Sequence, residues 1–338
     1  MIPYNPRVLA RPAAWLDRAA FSPASLPDDV VTGIALAPTV AAGLIFFKLA
    51  AAEMLGVALG VGVVTQVVAY LVWRHDMLRP QPSTAIAAIF GVALVGAGAS
   101  LQISIDIVVL AVVLELLRAR YLPAIRAQAG LLAFVVVALA TRGAPLVYVN
   151  PASGRSFSPD PIALWYTQPS LPGPYNPITL YVGNVAGPVF ATSLLAVAIG
   201  IAWLAYARRL SIVVAVGFLA GAVVSIAAYH WDYITQLDSG PTWFVAGLVL
   251  ADRRYLPASW ALRPVLGLGA GLLAVGLRVR GYGMEGAILT VAGAQLVMAV
   301  VVVVLWAGSL GTERWRRNRR LRQRDAQLRV VKTIPRAG

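Results

Sequence analysis

Two short stretches set a hydroxyl beside a proline in an otherwise apolar chain: Gln81-Pro82-Ser83-Thr84 and Ser239-Gly240-Pro241-Thr242. Each opens a glycine-interrupted apolar run, from Pro82 to Ser100 and from Gly240 to Asp252. A helix that begins inside a membrane protein points its first backbone N–H groups, and the positive end of its dipole, at whatever precedes it. Such an end attracts a carboxylate, a phosphate or another anion. Ser83, Thr84, Gly240 and Thr242 are therefore candidate ligand-binding residues. The second run is short, about eleven residues from Pro241 to Ala251, and stops on Asp252 beside Arg253 and Arg254. A spanning helix needs roughly twenty apolar residues.

Other ionisable groups read as structural. Asp106 and Glu115 lie nine residues apart in one apolar run, which puts them on opposite faces of a helix and excludes an acid/base pair. Glu115 has Arg118 one turn on as a partner, and Lys48 and Glu53 flank a turn across which they can pair. His230 and Asp232 stand among Trp231 and Tyr233, a grouping expected at a membrane interface. With no cysteine and two distant histidines, thiolate chemistry and an intrinsic metal or haem site are not expected. No nucleophile elbow, phosphate loop or dinucleotide fingerprint is present.

The elements that must position these residues follow from composition. The chain has 338 residues, 59% hydrophobic and 12% charged, with a mean hydropathy of +0.76. Soluble domains carry about a quarter charged residues, so an all-α polytopic membrane protein is expected. Apolar runs fall near 30–50, 54–73, 84–100, 103–117, 127–146, 188–206, 211–229, 240–251, 264–279 and 287–309. These ten segments divide into repeats over 30–146 and 188–310, joined by a long outer-face loop, 147–187. Residues 1–29 lack an early apolar run and form a cytoplasmic leader rather than a cleavable signal, with Trp15 and Phe21 suited to lie in the interface. The net charge of +14 concentrates in the tail, 311–338, directly after the last apolar run. That placement predicts anionic lipid headgroups at the tail rather than nucleic acid, with docking to a partner protein as the alternative. With both termini cytoplasmic, 23 of the 28 Lys and Arg residues fall on the cytoplasmic side and 5 on the outer side, which supports the count and the orientation.

Five segments per half means that the second half enters the bilayer inverted. The third segment of each half is then the one opened by Pro and Thr. Paired short segments at matching places in two halves point to a site at the repeat interface.

Several stretches carry a likeness to one family: LYVGNVAGPVFATSLLAVAIGIAWLAYARR (180–209), GPTWFVAGLVLADRRYLP (240–257), GLRVRGYGMEGAILTVAGAQL (276–296) and, in the first half, SPASLPDDVVTGIALAPTVAAGLIFF (22–47). They resemble the RnfD/NqrB family, polytopic membrane components of Rnf-type electron transport complexes and of the sodium-pumping NADH:quinone reductase. The resemblance implies ten spans in inverted halves, a role in membrane electron transport in the bacterial inner membrane, FMN or riboflavin as cofactor, coupled ion movement and other electron-transport subunits as partners. It marks Asp252 and Glu285 as matches to a family aspartate and glutamate. In the outer loop, Asp160 and Thr167 stand roughly where members attach FMN to the threonine of a Ser-Gly-Ala-Thr motif. That motif is missing here, which argues against covalent flavin. Two further departures are RYLPAIRAQ (120–128) in place of an Asn-Pro-Ala before the fifth segment, and QPST (81–84) where many members carry an aspartate two residues before the serine. Proteins of the UnbU type, encoded in enediyne biosynthetic clusters, form a divergent branch that this chain also resembles. A cofactor-free secondary transporter and a membrane anchor for a soluble enzyme are the alternative functions.

Overall fold

The computed structural model describes residues 26–73, 81–155, 158, 160–163, 177–256 and 261–304. The leader aromatics Trp15 and Phe21, Thr167 and the basic tail lie outside them. The described residues are helical and contain no strand. The helices are α1 (Asp28–Trp73), α2 (Thr84–Ala93), α3 (Leu101–Tyr121), α4 (Ala129–Ala140), α5 (Pro177–Val182), α6 (Leu194–Tyr206), α7 (Ile212–Ala228), α8 (Tyr233–Leu237), α9 (Gly240–Trp243), α10 (Leu262–Gly276) and α11 (Glu285–Val304). Three segments, α1, α11 and α10 extended by one turn to Arg280, are long and apolar enough to cross a membrane. Their outward side chains are apolar: Val64 of α1 is 62% exposed and Leu273 of α10 61%. Only a hydrocarbon surrounding makes such a surface favourable.

The two apolar runs at 30–50 and 54–73 are one element, α1, broken at Lys48, whose φ of 47° and ψ of −113° are not helical. The break folds the helix back on itself. Asp29 in its first turn accepts a hydrogen bond from Gln66 Nε2 at 3.3 Å, although a straight helix would separate residues 37 apart by about 55 Å. The expected Lys48–Glu53 pair does not form among the described residues. Both side chains are exposed, where an ion pair contributes little.

The central layer is made of the two short segments. In α2, Thr84, Ile86, Ala87, Ala88 and Phe90 to Ala93 are all buried. The segment opened by α9 continues as a π-helix over Phe244–Leu250, buried at every residue. They meet edge to face through Phe90 and Phe244, with ring centroids 5.6 Å apart. Small residues admit them to the middle of the molecule. A Cβ at Gly62 on α1 would come within 2.9 Å of Ala85 Cα, and one at Gly91 within 2.9 Å of Ile107 on α3. Where α2 ends, the chain runs extended instead of crossing as a helix. Its amides pair with neighbouring backbone: Gly96 N donates to Pro145 O, Gly98 N to Val147 O, and Val95 O accepts from Val189 N, at 2.8 to 2.9 Å. Irregular backbone is tolerated at membrane depth when protein satisfies it in this way.

The closest helix pair is α7 with α10. Gly217 and Gly221 on one face Gly267 and Gly271 on the other, each four residues apart, and a Cβ at Gly217 would come within 3.2 to 3.4 Å of the α10 backbone. Small residues at this spacing let backbones approach so that dispersion holds the pair together in lipid. A Cβ at Gly271 would land on the Phe218 carbonyl, whereas one at Gly269 would meet nothing within 4 Å. Gly271→Leu is expected to destabilise the protein by about 2 kcal/mol or more and Gly269→Ala to leave it unchanged or slightly more stable. Thermal unfolding of the detergent-solubilised protein checks both.

Candidate functional site

Two cavities lie at opposite ends of α4, whose 12 residues span about 18 Å. The larger, about 560 Å³, opens at the end where α1 begins, α3 finishes and α4 starts. It is lined by Asp28, Asp29, Ser83, Glu115, Arg118, Arg126, Gln128, Arg254 and Tyr255, among others. The chain folds this way because charged helix ends converge there. Glu115, on the last turns of α3, binds Arg118 through two contacts of 2.6 and 2.8 Å, as its spacing predicts. It also accepts the Ser83 amide at 2.9 Å. Asp29 accepts the Ser83 hydroxyl at 2.5 Å, and Ala85 N donates to Gln66 Oε1 at 3.1 Å. Side chains of the protein thus take the first amides of α2, the groups expected to face a ligand.

Behind the cavity wall stands Asp252, with 0% of its surface exposed. It accepts Arg254 Nε at 3.1 Å and the Arg254 amide at 3.0 Å, and lies 3.5 Å from Arg209 Nη2. The two arginines reach on to α1. Arg254 Nη2 donates to Thr32 at 2.5 Å, Arg254 Nη1 lies 3.7 Å from Asp29, and Arg209 pairs with Asp28. The Arg253 amide donates to Arg209 O at 2.9 Å, which joins the end of the π-helix to the α6–α7 connection. Tyr255, which lines the cavity, has its phenol pushed up to about 12 by burial, so it acts as a neutral hydrogen-bonding group there.

Two lining groups have unspent hydrogen-bonding capacity. Gln128 is 2% exposed, and its Nε2 has no partner. Arg126 donates to the Leu256 carbonyl at 3.0 Å and has no carboxylate partner among the described residues. Both belong to RYLPAIRAQ, the stretch that stands where the resembled family has Asn-Pro-Ala. The departure is visible in the residues, but nothing in them shows that it lines a cavity.

The smaller cavity, about 310 Å³, lies at the other end of α4 and is lined by Leu146, Val147, Tyr148, Ser158, Asp160, Ala163, Gly281, Gly283 and Glu285. Asp160 is 4% exposed and accepts the amides of Ala163 at 2.5 Å and Met284 at 3.1 Å. Burial raises its carboxyl above the usual range, while those amides pull it down. Thus Asp160 and Glu285, 125 residues apart, share one cavity. Thr167, expected to act with Asp160, lies outside the described residues. Thr242 is 3% exposed and meets Ser239 at 2.8 Å and Arg278 Nη2 at 3.0 Å. Gly240 packs against the backbone of Ala191 and Thr192. The candidates therefore divide: Ser83, Thr84 and Asp252 at the basic end, Gly240, Thr242, Asp160 and Glu285 toward the other. Their separation follows from the helices themselves, since α2 and α9 start from opposite ends and touch through hydrocarbon.

No family model matches the chain. No curated protein is significantly similar to it.

Asp252→Asn is expected to destabilise the protein by about 3 kcal/mol, because it leaves two largely buried guanidinium groups without their carboxylate. Asp106→Asn, which removes an exposed side chain bonded to Gln102, is expected to change stability by less than about 0.5 kcal/mol. Chemical or thermal unfolding of both variants measures the contrast.

Proposed function

We propose that this chain is an integral membrane component of an electron-transport assembly that holds a non-covalent flavin, FMN or riboflavin, in the cavity at its basic end. The observation that carries the reading is the pair of open donors there, the buried Gln128 Nε2 and Arg126, in a cavity of about 560 Å³. Cavities of roughly 300 to 1,000 Å³ suit ligands of this size. The donor set fits the chemistry of a flavin: the amide can serve a ring carbonyl, the guanidinium a phosphate or ribityl oxygen, and the neutral Tyr255 either. Ser83 and Gln81 complete the polar wall. A bound flavin supplies one- and two-electron transfer. The protein's own residues orient it, and the pairing of Arg118 with Glu115 and of Arg254 with Asp252 keeps the walls rigid without surplus charge. On this reading the ten segments form two inverted halves with both termini cytoplasmic in the bacterial inner membrane, the basic tail lies against anionic lipid, and other electron-transport proteins provide donor and acceptor. The resembling stretches, the matching short helices and the 23 to 5 charge split support it.

One feature favours a second reading, a cofactor-free permease: two cavities stand at opposite ends of the same short helix, as alternating access would use. Flavin content separates the two. Protein purified from cells, and reconstituted with FMN or riboflavin where flavin is lost, is expected to show a flavin absorbance band and to release flavin detected by mass analysis. Arg126→Ala and Gln128→Leu should each lower retained flavin by about tenfold. Colourless protein that takes up no flavin sinks the redox reading.

A further inference from the structure

The second cavity has its own chemistry, apart from the flavin reading. Its walls bring together Asp160, Glu285 and Tyr148 from three parts of the chain, with Leu146, Val147 and Ala163 beside them. Tyr148 is 3% exposed, and its hydroxyl has no hydrogen-bond partner. Burial raises that phenol well above its ordinary range, and the charges of Glu285 and Asp160 raise it further, so the hydroxyl is neutral and within reach of both carboxylates. A buried hydroxyl left unpaired is unfavourable, which points to a missing partner rather than to packing alone.

Charge makes the partner's sign definite. The charged groups facing the cavity are the two carboxylates and, acting on Asp160 from the end of α10, Arg278. Arg278 is wholly buried and held by Gln236 O at 2.8 Å, Gln236 Oε1 at 2.5 Å and Thr242 at 3.0 Å. Two carboxylates against one guanidinium leave one negative charge in excess in a poorly solvated space, and such a charge demands a counter-charge. Size then selects among cations. The space is far larger than the roughly 30 Å³ that one water takes up, and at about 310 Å³ it reaches the lower range of small-molecule sites. Gly283 helps keep it open, since a Cβ there would fall on the Asp160 carboxylate.

We propose that this cavity binds a primary ammonium group, whose three N–H donors are received by the oxygens of Asp160, Glu285 and Tyr148 while its carbon substituent rests on Leu146 and Val147. An ammonium carries three donors and no acceptor, the complement of this triad. Asp160 keeps its amide bonds to Ala163 and Met284 and still has a lone pair on each oxygen to offer. Because binding requires the ionised carboxyl and burial favours the protonated one, affinity falls as the pH is lowered.

The test uses the full chain in detergent, with thermal shift read against methylammonium chloride, tetramethylammonium chloride and sodium chloride at matched ionic strength, on the alkaline and acid sides of neutrality. Methylammonium is expected to stabilise saturably and more weakly at acid pH, and the other two salts are expected not to. Glu285→Gln should weaken the methylammonium midpoint about tenfold or more, and Tyr148→Phe, which keeps the ring in place, by several-fold. Equal stabilisation by tetramethylammonium or sodium overturns the proposal, because the site then reads charge without N–H donors. An unchanged midpoint in both variants overturns it too. Neither outcome depends on flavin content, so this inference and the redox reading fail separately.

Discussion

A single carboxylate, Asp252, holds the two parts of the molecule in register. It lies without solvent contact between Arg254 and Arg209, and those side chains extend to Thr32, Asp29 and Asp28 at the start of α1. In a protein whose neighbours are hydrocarbon, helices gain little from hiding apolar surface from one another, since lipid receives it equally well. Polar contacts that cannot be replaced by lipid then decide which helix ends lie together. The Asp252 cluster connects the first helix, the α6–α7 connection and the end of the π-helix at one place. The walls of the larger cavity are set by the same contacts.

Close backbone approach does the rest. Glycines at 217, 221, 267 and 271 seat α7 on α10, and Gly62, Gly91 and Gly130 let the short α2 sit inside a ring formed by α1, α3 and α4. The result is a core in which the shortest helices are the most deeply buried and the longest face outward. The usual link between helix length and membrane crossing is thereby relaxed: α2 and the segment from α9 need not reach both surfaces, because longer neighbours surround them and extended backbone completes the passage.

Much of this was legible in the residues. Apolar runs marked the helices, with the first two merged into one broken element. The Pro-Thr entries marked the two buried short segments, and the spacing of Glu115 and Arg118 gave their ion pair. What the sequence concealed shares one cause, dependence on contacts distant along the chain. Nothing local distinguishes Gln128 from any other amide or Tyr148 from the many aromatics of the loop, and Arg278 reads as an outer-face charge until Gln236 and Thr242 are seen around it. The union of Asp160 with Glu285 depends on the turn before α11 returning to the loop after α4. The paired glycines of α7 and α10 were visible as a pattern, but the pattern does not say which helix answers which.

The left-handed break at Lys48 has a further bearing on how the protein is made. Because α1 returns to the side from which it set out, residues 28–73 enter the bilayer as a helical hairpin and leave the parity of later crossings untouched. The orientation of everything downstream is thus independent of whether this hairpin inserts first, late or not at all. During biosynthesis only one basic side chain, that of Lys48, has to be carried across at its tip, a light demand for a unit that builds one wall of the larger cavity.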